Sequence, residues 1–151
     1  MRESRLSLGD KVMRALYIEH DINVSTYDID FAGHVSNTVY LRWLEDMRLK
    51  MFDIFCPLQQ FLENGQSPIL LSTEIQYKRA IKLFDKPKGK MWLSDLSLST
   101  LTIEAEIFLS ESLCTRAKHV GVFVDIARMK PIRIPKVFHE AVKSYLSTES
   151  V

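Results

Sequence analysis

The sequence predicts an α+β domain in which an antiparallel β-sheet wraps around one long central α-helix. Three observations carry this expectation. A single stretch after Asn37 repeats apolar residues at steps of three and four, the period of a helix with one buried face. Other segments have the composition of strands, with period-two alternation visible at Ile22, Val24 and Thr26. The helix is followed by one strand after another, joined by turns, which implies an antiparallel sheet folded around it.

Met1 to Leu16 is too polar for a secretory apolar segment, and residues 1–17 read as an N-terminal extension. Ile18 to Tyr27 has the β-branched content of a strand, and Tyr27 to Asn37 is a polar loop. In the helix, Tyr40, Trp43, Leu44, Met47, Met51, Ile54 and Phe55 form the apolar stripe, while Arg42, Glu45, Asp46, Arg48, Lys50 and Asp53 fill the remaining faces. Ser36, Asn37 and Thr38 are residue types that cap a helix start, and Asp46 to Lys50 has the spacing of an ion pair. Pro57 ends the helix, Leu58 to Leu62 adds a short helical turn, and Glu63-Asn64-Gly65-Gln66 is a loop. Strands are expected at Pro68 to Arg79, Met91 to Leu98, Leu101 to Leu109 and Thr115 to Ile126, with Ser110-Glu111-Ser112 turning between the last two. A modest amphipathic helix closes the chain from Pro135 to Leu146. With no repeat, low-complexity tract or linker, residues 1–151 read as one domain.

Composition excludes several classes of function. The chain has 151 residues, 46% of them hydrophobic, and a formal net charge of +1, so it can bury a core without a staple. A nucleic-acid protein would carry a concentrated basic face, which is not expected here. Only Cys56 and Cys114 are present, far apart and without metal-ligand spacing, which suits a reducing, cytoplasmic compartment. No apolar run is long enough to span a membrane.

The loop Tyr27-Asp28-Ile29-Asp30-Phe31-Ala32-Gly33-His34-Val35-Ser36-Asn37 gathers carboxylates, an imidazole and an amide around a glycine, immediately before the helix. A helix start presents backbone N–H groups with no internal partner and a partial positive charge, which suits a developing oxyanion. An Asp upstream could then act on the same carbonyl as general base or nucleophile. Asp30 is the better candidate because it lies nearer the Gly33 turn, whereas Asp28 is closer to the strand. Gly33 permits a positive φ or a close backbone approach.

The run Tyr-Asp-x-Asp-x-x-Gly-His-Val-x-Asn-x-x-Tyr-Leu-Arg-Trp-Leu-Glu-x-x-Arg, from Tyr27 to Arg48, resembles the signature of hotdog-fold acyl-CoA thioesterases of the 4-hydroxybenzoyl-CoA thioesterase family. The likeness continues through Thr73 to Tyr77, Leu83 to Asp85, Leu101 to Glu104 and Val122 to Pro135, so that roughly residues 18–142 follow the family in order. The resemblance implies the hotdog fold, with Asp30 as catalytic carboxylate and the backbone N–H near Asn37 polarising the thioester carbonyl. His34 and Asn37 fall where some branches, including plant acyl-carrier-protein thioesterases, place a functional His and Asn. Other branches carry His at the position of Asn37. Ser36 stands where many relatives have a second Asn, and Ala80 and Phe84 replace a usual Pro and Gly in the turn before the third strand.

Plainer roles compete at each position. Asp30 could be only a turn-forming residue beside glycine, His34 a packing group at the helix entrance, and Asn37 only a cap. Glu45 reads as a solvated helix acid within reach of Arg42 and Arg48, although another branch of the fold uses a helix carboxylate. His20, His119 and His139 have no partner motif and read as surface or packing residues. Cys56 lacks a partner His and reads as structural. Tyr40 and Trp43 are core residues or, since the helix borders the acyl pocket of a hotdog, substrate contacts. Lys78, Arg79, Lys82, Lys86, Lys88 and Lys90 form a solvated face that could meet coenzyme A phosphates, with Arg79 and Lys88 chosen as substrate-binding residues alongside Gly33.

The reading is therefore an acyl-CoA thioesterase that needs no metal or redox cofactor, with Asp30, Asn37 and His34 as its catalytic residues. The resemblance further implies a homodimer or homotetramer with sites at the subunit boundary. Two rivals stand beside it: a thioesterase for acyl carrier protein, and a regulatory hotdog module that binds an acyl thioester without turning it over.

Overall fold

The computed structural model describes residues 13–149. Strand β1 (Ala15–Asp21) leads through a loop to helix α1 (Asn37–Phe55) and a short helix α2 (Leu58–Glu63). Strands β2 (Gln66–Tyr77), β3 (Lys88–Leu96), β4 (Leu101–Leu109), β5 (Ser112–Asp125) and β6 (Lys130–Ile132) follow, and helix α3 (Lys136–Glu149) closes the chain. The main strands lie in the order β1-β3-β4-β5-β2, every neighbouring pair antiparallel, with β6 added beside β5. The predicted α+β architecture is the one observed, a curved antiparallel sheet against a central helix.

Period two settles which residues of the sheet meet the helix. Leu101, Ile103, Ala105 and Ile107 of β4 are buried while the residues between them are half-buried. From α1, Val39, Tyr40, Trp43, Leu44, Met47, Met51 and Phe52 are buried. Gly89 allows close seating: a Cβ there would lie 2.6 Å from Met47 Cε, so a side chain at this position would push the Met47 tip aside. At the far end of α1, Phe52 meets Phe61 of α2 and Phe138 of α3 at ring distances of 6.3 and 6.0 Å. This aromatic cluster explains a miss in the expected stripe. Ile54 has the right helical phase but is 55% exposed, because α2 and α3 close over the Phe52 side of the last turn.

Several expected boundaries move. The first strand begins at Ala15 and ends at Asp21, so residues 15–17 belong to the sheet and not to an extension; residues 1–12 lie outside the described residues. Ile22, Val24 and Thr26 alternate but do not form strand, since the chain leaves the sheet after Ile22 donates to the Pro87 carbonyl and turns through a 3-10 segment at Thr26–Asp28. A kink at Leu16, with φ 54°, coincides with the register shift between Ala15 and Ile18. Strand β6 was not expected at all; its three residues borrow their pairing from β5. Lys50 donates to the Glu19 carbonyl instead of pairing with Asp46. Among the described residues, no helix is long and apolar enough to cross a membrane.

Candidate active site

The segment between β1 and α1 folds into a tight, self-bonded loop. Ile29 and Val35 face each other across a single β-bridge, the Asp30 N–H donates to the His34 carbonyl at 2.8 Å, and Gly33 N–H donates back to the Asp30 carbonyl at 3.0 Å. Gly33 adopts φ 81°, the left-handed conformation that lets the chain reverse here without a side-chain clash. The Asp30 carboxylate is held from below: its Oδ1 accepts the N–H groups of Ala32 at 2.9 Å and His34 at 3.3 Å. Its Oδ2 has no hydrogen-bond partner among the described residues. Asp30 is thus a turn-former through one oxygen and available through the other.

Asp28 plays a different part. It is buried, its Oδ2 accepts the Ser25 N–H at 2.9 Å, and its Oδ1 faces the Arg42 guanidinium at 3.8 Å. Its carbonyl accepts the Ser36 N–H at 2.9 Å, which ties the loop to the helix entrance. Ser36, not Asn37, occupies the capping position, with extended backbone and no side-chain cap bond; Asn37 is the first helical residue. Among the described residues no side chain caps the start of α1; the Val39 N–H donates to the Ser36 carbonyl at 2.9 Å, and the N–H groups of Asn37 and Thr38 lie ahead of it. His34 and Asn37 are both exposed beside it. The Tyr77 hydroxyl donates to the Asn37 carbonyl at 3.2 Å, fastening the end of β2 to the same helix turn.

The proposed binding residues separate into groups. Tyr40 and Trp43 are buried in the core, their rings edge-to-face at 5.1 Å, with Tyr40 also 5.1 Å from Tyr77. Arg79 is exposed and donates to Ser112 Oγ at 2.8 Å. Lys88 pairs with Glu19 at 3.6 Å, and Lys90 lies over the Phe108 ring at 4.7 Å, so these two are engaged by sheet residues. Cys56 is buried, and burial pushes its thiol up to about 11, which keeps it protonated and unfit as a nucleophile.

A pair missed at the sequence level lies deeper along the helix. Arg48 turns inward, and its Nη1 meets Nδ1 of His119 at 2.9 Å. His119 is fully buried; burial first, and then the Arg48 charge, lowers its pKa to about 4, so the ring is neutral. A guanidinium only donates, so Nδ1 accepts and the ring proton sits on Nε2, which is buried without a partner among the described residues. Arg48 and Glu45 border a cavity of about 260 Å³ whose other walls include Leu49, Leu70, Ile103 and Val122. Glu45 favours the Arg48 charge across this cavity, while Arg42, the other cation expected beside Glu45, reaches Asp28. The alternation Ala117-His119-Gly121-Phe123 along β5 carried the signal that His119 points inward, but no single-residue rule names its partner.

This architecture and site define a class: a hotdog domain with a carboxylate loop feeding an open helix start. Residues 24–142 match the model of the Thioesterase-like superfamily, and the chain belongs to that family of hotdog-fold thioesterases. The chemistry of the family is thioester hydrolysis. Solved structures share the fold at low sequence identity. The DHNA-CoA thioesterase of Staphylococcus aureus is 22% identical with a TM-score of 0.80, over 89% of this chain and 93% of that one. The 1,4-dihydroxy-2-naphthoyl-CoA thioesterase of Synechocystis is 18% identical with a TM-score of 0.76, over 84% and 96%. A probable thioesterase of Escherichia coli is 21% identical with a TM-score of 0.73, over 84% and 97%.

Proposed function

We propose that the chain hydrolyses acyl-CoA thioesters, using Asp30 against a carbonyl polarised by the first N–H groups of α1. The observation that carries this reading is the loop itself. It holds Asp30 by one carboxylate oxygen, leaves the other without a partner among the described residues, and leads to a helix start that none of those side chains caps. As a base, Asp30 takes a proton from water while the water oxygen bonds to the carbonyl carbon, and the negative charge moves onto the carbonyl oxygen facing the helix dipole. Collapse breaks the C–S bond, and the proton returns from Asp30 to the departing thiolate, giving free coenzyme A and the carboxylic acid. As a nucleophile, Asp30 would instead attack the carbonyl carbon and expel the coenzyme A thiolate, forming a transient anhydride; water then splits it into the carboxylic acid and Asp30, whose proton passes to the thiolate. Asn37 contributes through its backbone N–H, and the apolar cavity further along α1 suits the acyl group.

Assembly belongs to the same reading. Strand β2 is a sheet edge of 12 residues and exposes Leu71 and Tyr77, which suits pairing with a second copy into a homodimer that completes the site.

Asp30→Asn keeps the side chain's shape and its bond to the loop amides but removes the base or nucleophile. Turnover of an acyl-CoA panel, followed by free-thiol release, should fall at least roughly a hundredfold with little change in unfolding midpoint. Turnover near that of the parent protein would sink the mechanism.

A further inference from the structure

The turn between β2 and β3 exposes an aromatic ring for which the fold has no packing use. Phe84 sits at φ 76°, a conformation strained for a side chain of this size, and its side chain is 87% exposed, so nothing is buried in return. Facing it across a groove of about 660 Å³ is the segment Ile22 to Tyr27, whose Tyr27 ring is 80% exposed. Lys82 and Lys86 flank the turn, both exposed and neither with a carboxylate partner among the described residues. The turn's own acid, Asp85, is occupied by the Lys82 backbone N–H at 2.8 Å. Two exposed rings and the Lys86 ammonium thus line one open groove, with Lys82 on the other side of the same turn.

One end of the groove is fastened to the candidate active site and the other to the exit of β1. The Ile81 carbonyl accepts the Val35 N–H at 2.8 Å, just before the helix start, and the Pro87 carbonyl accepts the Ile22 N–H at 3.0 Å. Tyr27 is three residues from Asp30 on a loop held by its own hydrogen bonds.

We infer that this groove binds the nucleotide end of the acyl-CoA, with the adenine lying against Phe84 and Tyr27 and the phosphates held by Lys82 and Lys86. The inference rests on the acyl-CoA reading and gives its carrier a place. Flat bases stack on aromatic rings whatever their hydrogen-bonding edge, and ammonium groups hold phosphates as point charges. A second copy of the chain fits less well, since a two-fold contact through this patch would set lysines against lysines.

The test compares one acyl group carried on coenzyme A with the same group on pantetheine, which lacks the nucleotide. For Phe84→Gly, and separately for Lys82→Gln with Lys86→Gln, KM for the acyl-CoA should rise roughly tenfold with kcat nearly unchanged, while kcat/KM for the acyl-pantetheine stays put. Phe84→Gly also relieves the left-handed strain, so its melting temperature should hold or rise. In parallel, calorimetry with adenosine 3′,5′-bisphosphate should detect binding to the parent protein and its loss in both variants. An unchanged KM for acyl-CoA overturns the inference, as does an equal loss on both substrates or a change in oligomeric state without a KM effect. Should the parent protein cleave neither thioester, the hydrolytic reading fails on its own; the bisphosphate titration then still decides the groove, binding lost in the variants supporting it and equal or absent binding overturning it.

Discussion

His119 is where a single residue controls the most. Its ring is wholly inside the protein, bonded to Arg48 at Nδ1, and held neutral by burial and by that neighbouring charge, with a pKa near 4 in place of the ordinary 6.5. The unfolded chain therefore takes up a proton between pH 6.5 and 4 that the folded protein refuses. Stability should fall as pH drops through that window and level off below it, by up to roughly 3 kcal/mol. His119→Gln removes the titrating group while keeping a polar partner for Arg48. Chemical unfolding at pH 7 and pH 4.5 should show a smaller difference for the variant than for the parent protein, and equal differences would refute the assignment. Asp30 belongs to this scale as well: its two carboxylate oxygens have separate tasks, one holding the loop and the other, in the proposed mechanism, meeting the substrate.

Among the elements, α3 shows how a helix with modest amphipathicity is held in place. Phe138 is buried at its start, 6.0 Å from Phe52 of α1 and 5.9 Å from Phe123 of β5, so one ring joins helix, helix and sheet. Tyr145 adds an edge-to-face contact with Phe55 at 5.4 Å near the other end. Phe138→Ala would leave a cavity between Phe52 and Phe123 and should destabilise the protein by about 3–5 kcal/mol. Denaturant titration measures this directly; a loss under about 1 kcal/mol would mean that α3 docks by some other contact. The loop before α1 combines two kinds of support, backbone hydrogen bonds with the buried Asp28 and an apolar anchor at Val35, which suits a segment that must hold polar groups at the surface.

At the scale of the whole molecule the sheet ends asymmetrically. One edge is β1, and the other is β2, a long strand with large apolar side chains in solvent. An edge of this kind invites pairing, and in the proposed dimer that pairing would also enclose the cavity beside Glu45 and Arg48, which borders β2. The purified protein should sediment as a dimer or larger, and its melting temperature should rise with protein concentration. Leu71→Lys, which places a charge on the exposed edge, should shift sedimentation toward monomer and lower specific activity in parallel. A parent protein that is a stable, fully active monomer would contradict the shared site.

The features legible along the chain are local and periodic. Spacing at three and four residues located α1, whereas the alternation read at Ile22, Val24 and Thr26 fell outside the sheet, and Gly33 near Asp30 announced a reversal that the φ of 81° makes physical. These features depend on neighbours along the chain, so they can be read from it. The start of β1 was hidden because Leu16 breaks the strand's geometry, and β6 because three residues carry no period; both exist through pairing with distant strands. Only the tertiary structure could bring Arg48 to His119 across 71 positions, turn the Phe52 side of α1 inward instead of Ile54, or set Phe84 opposite Tyr27. Those juxtapositions arise from packing one curved sheet around one helix, and packing joins residues by distance in space, which composition and spacing along the chain do not encode.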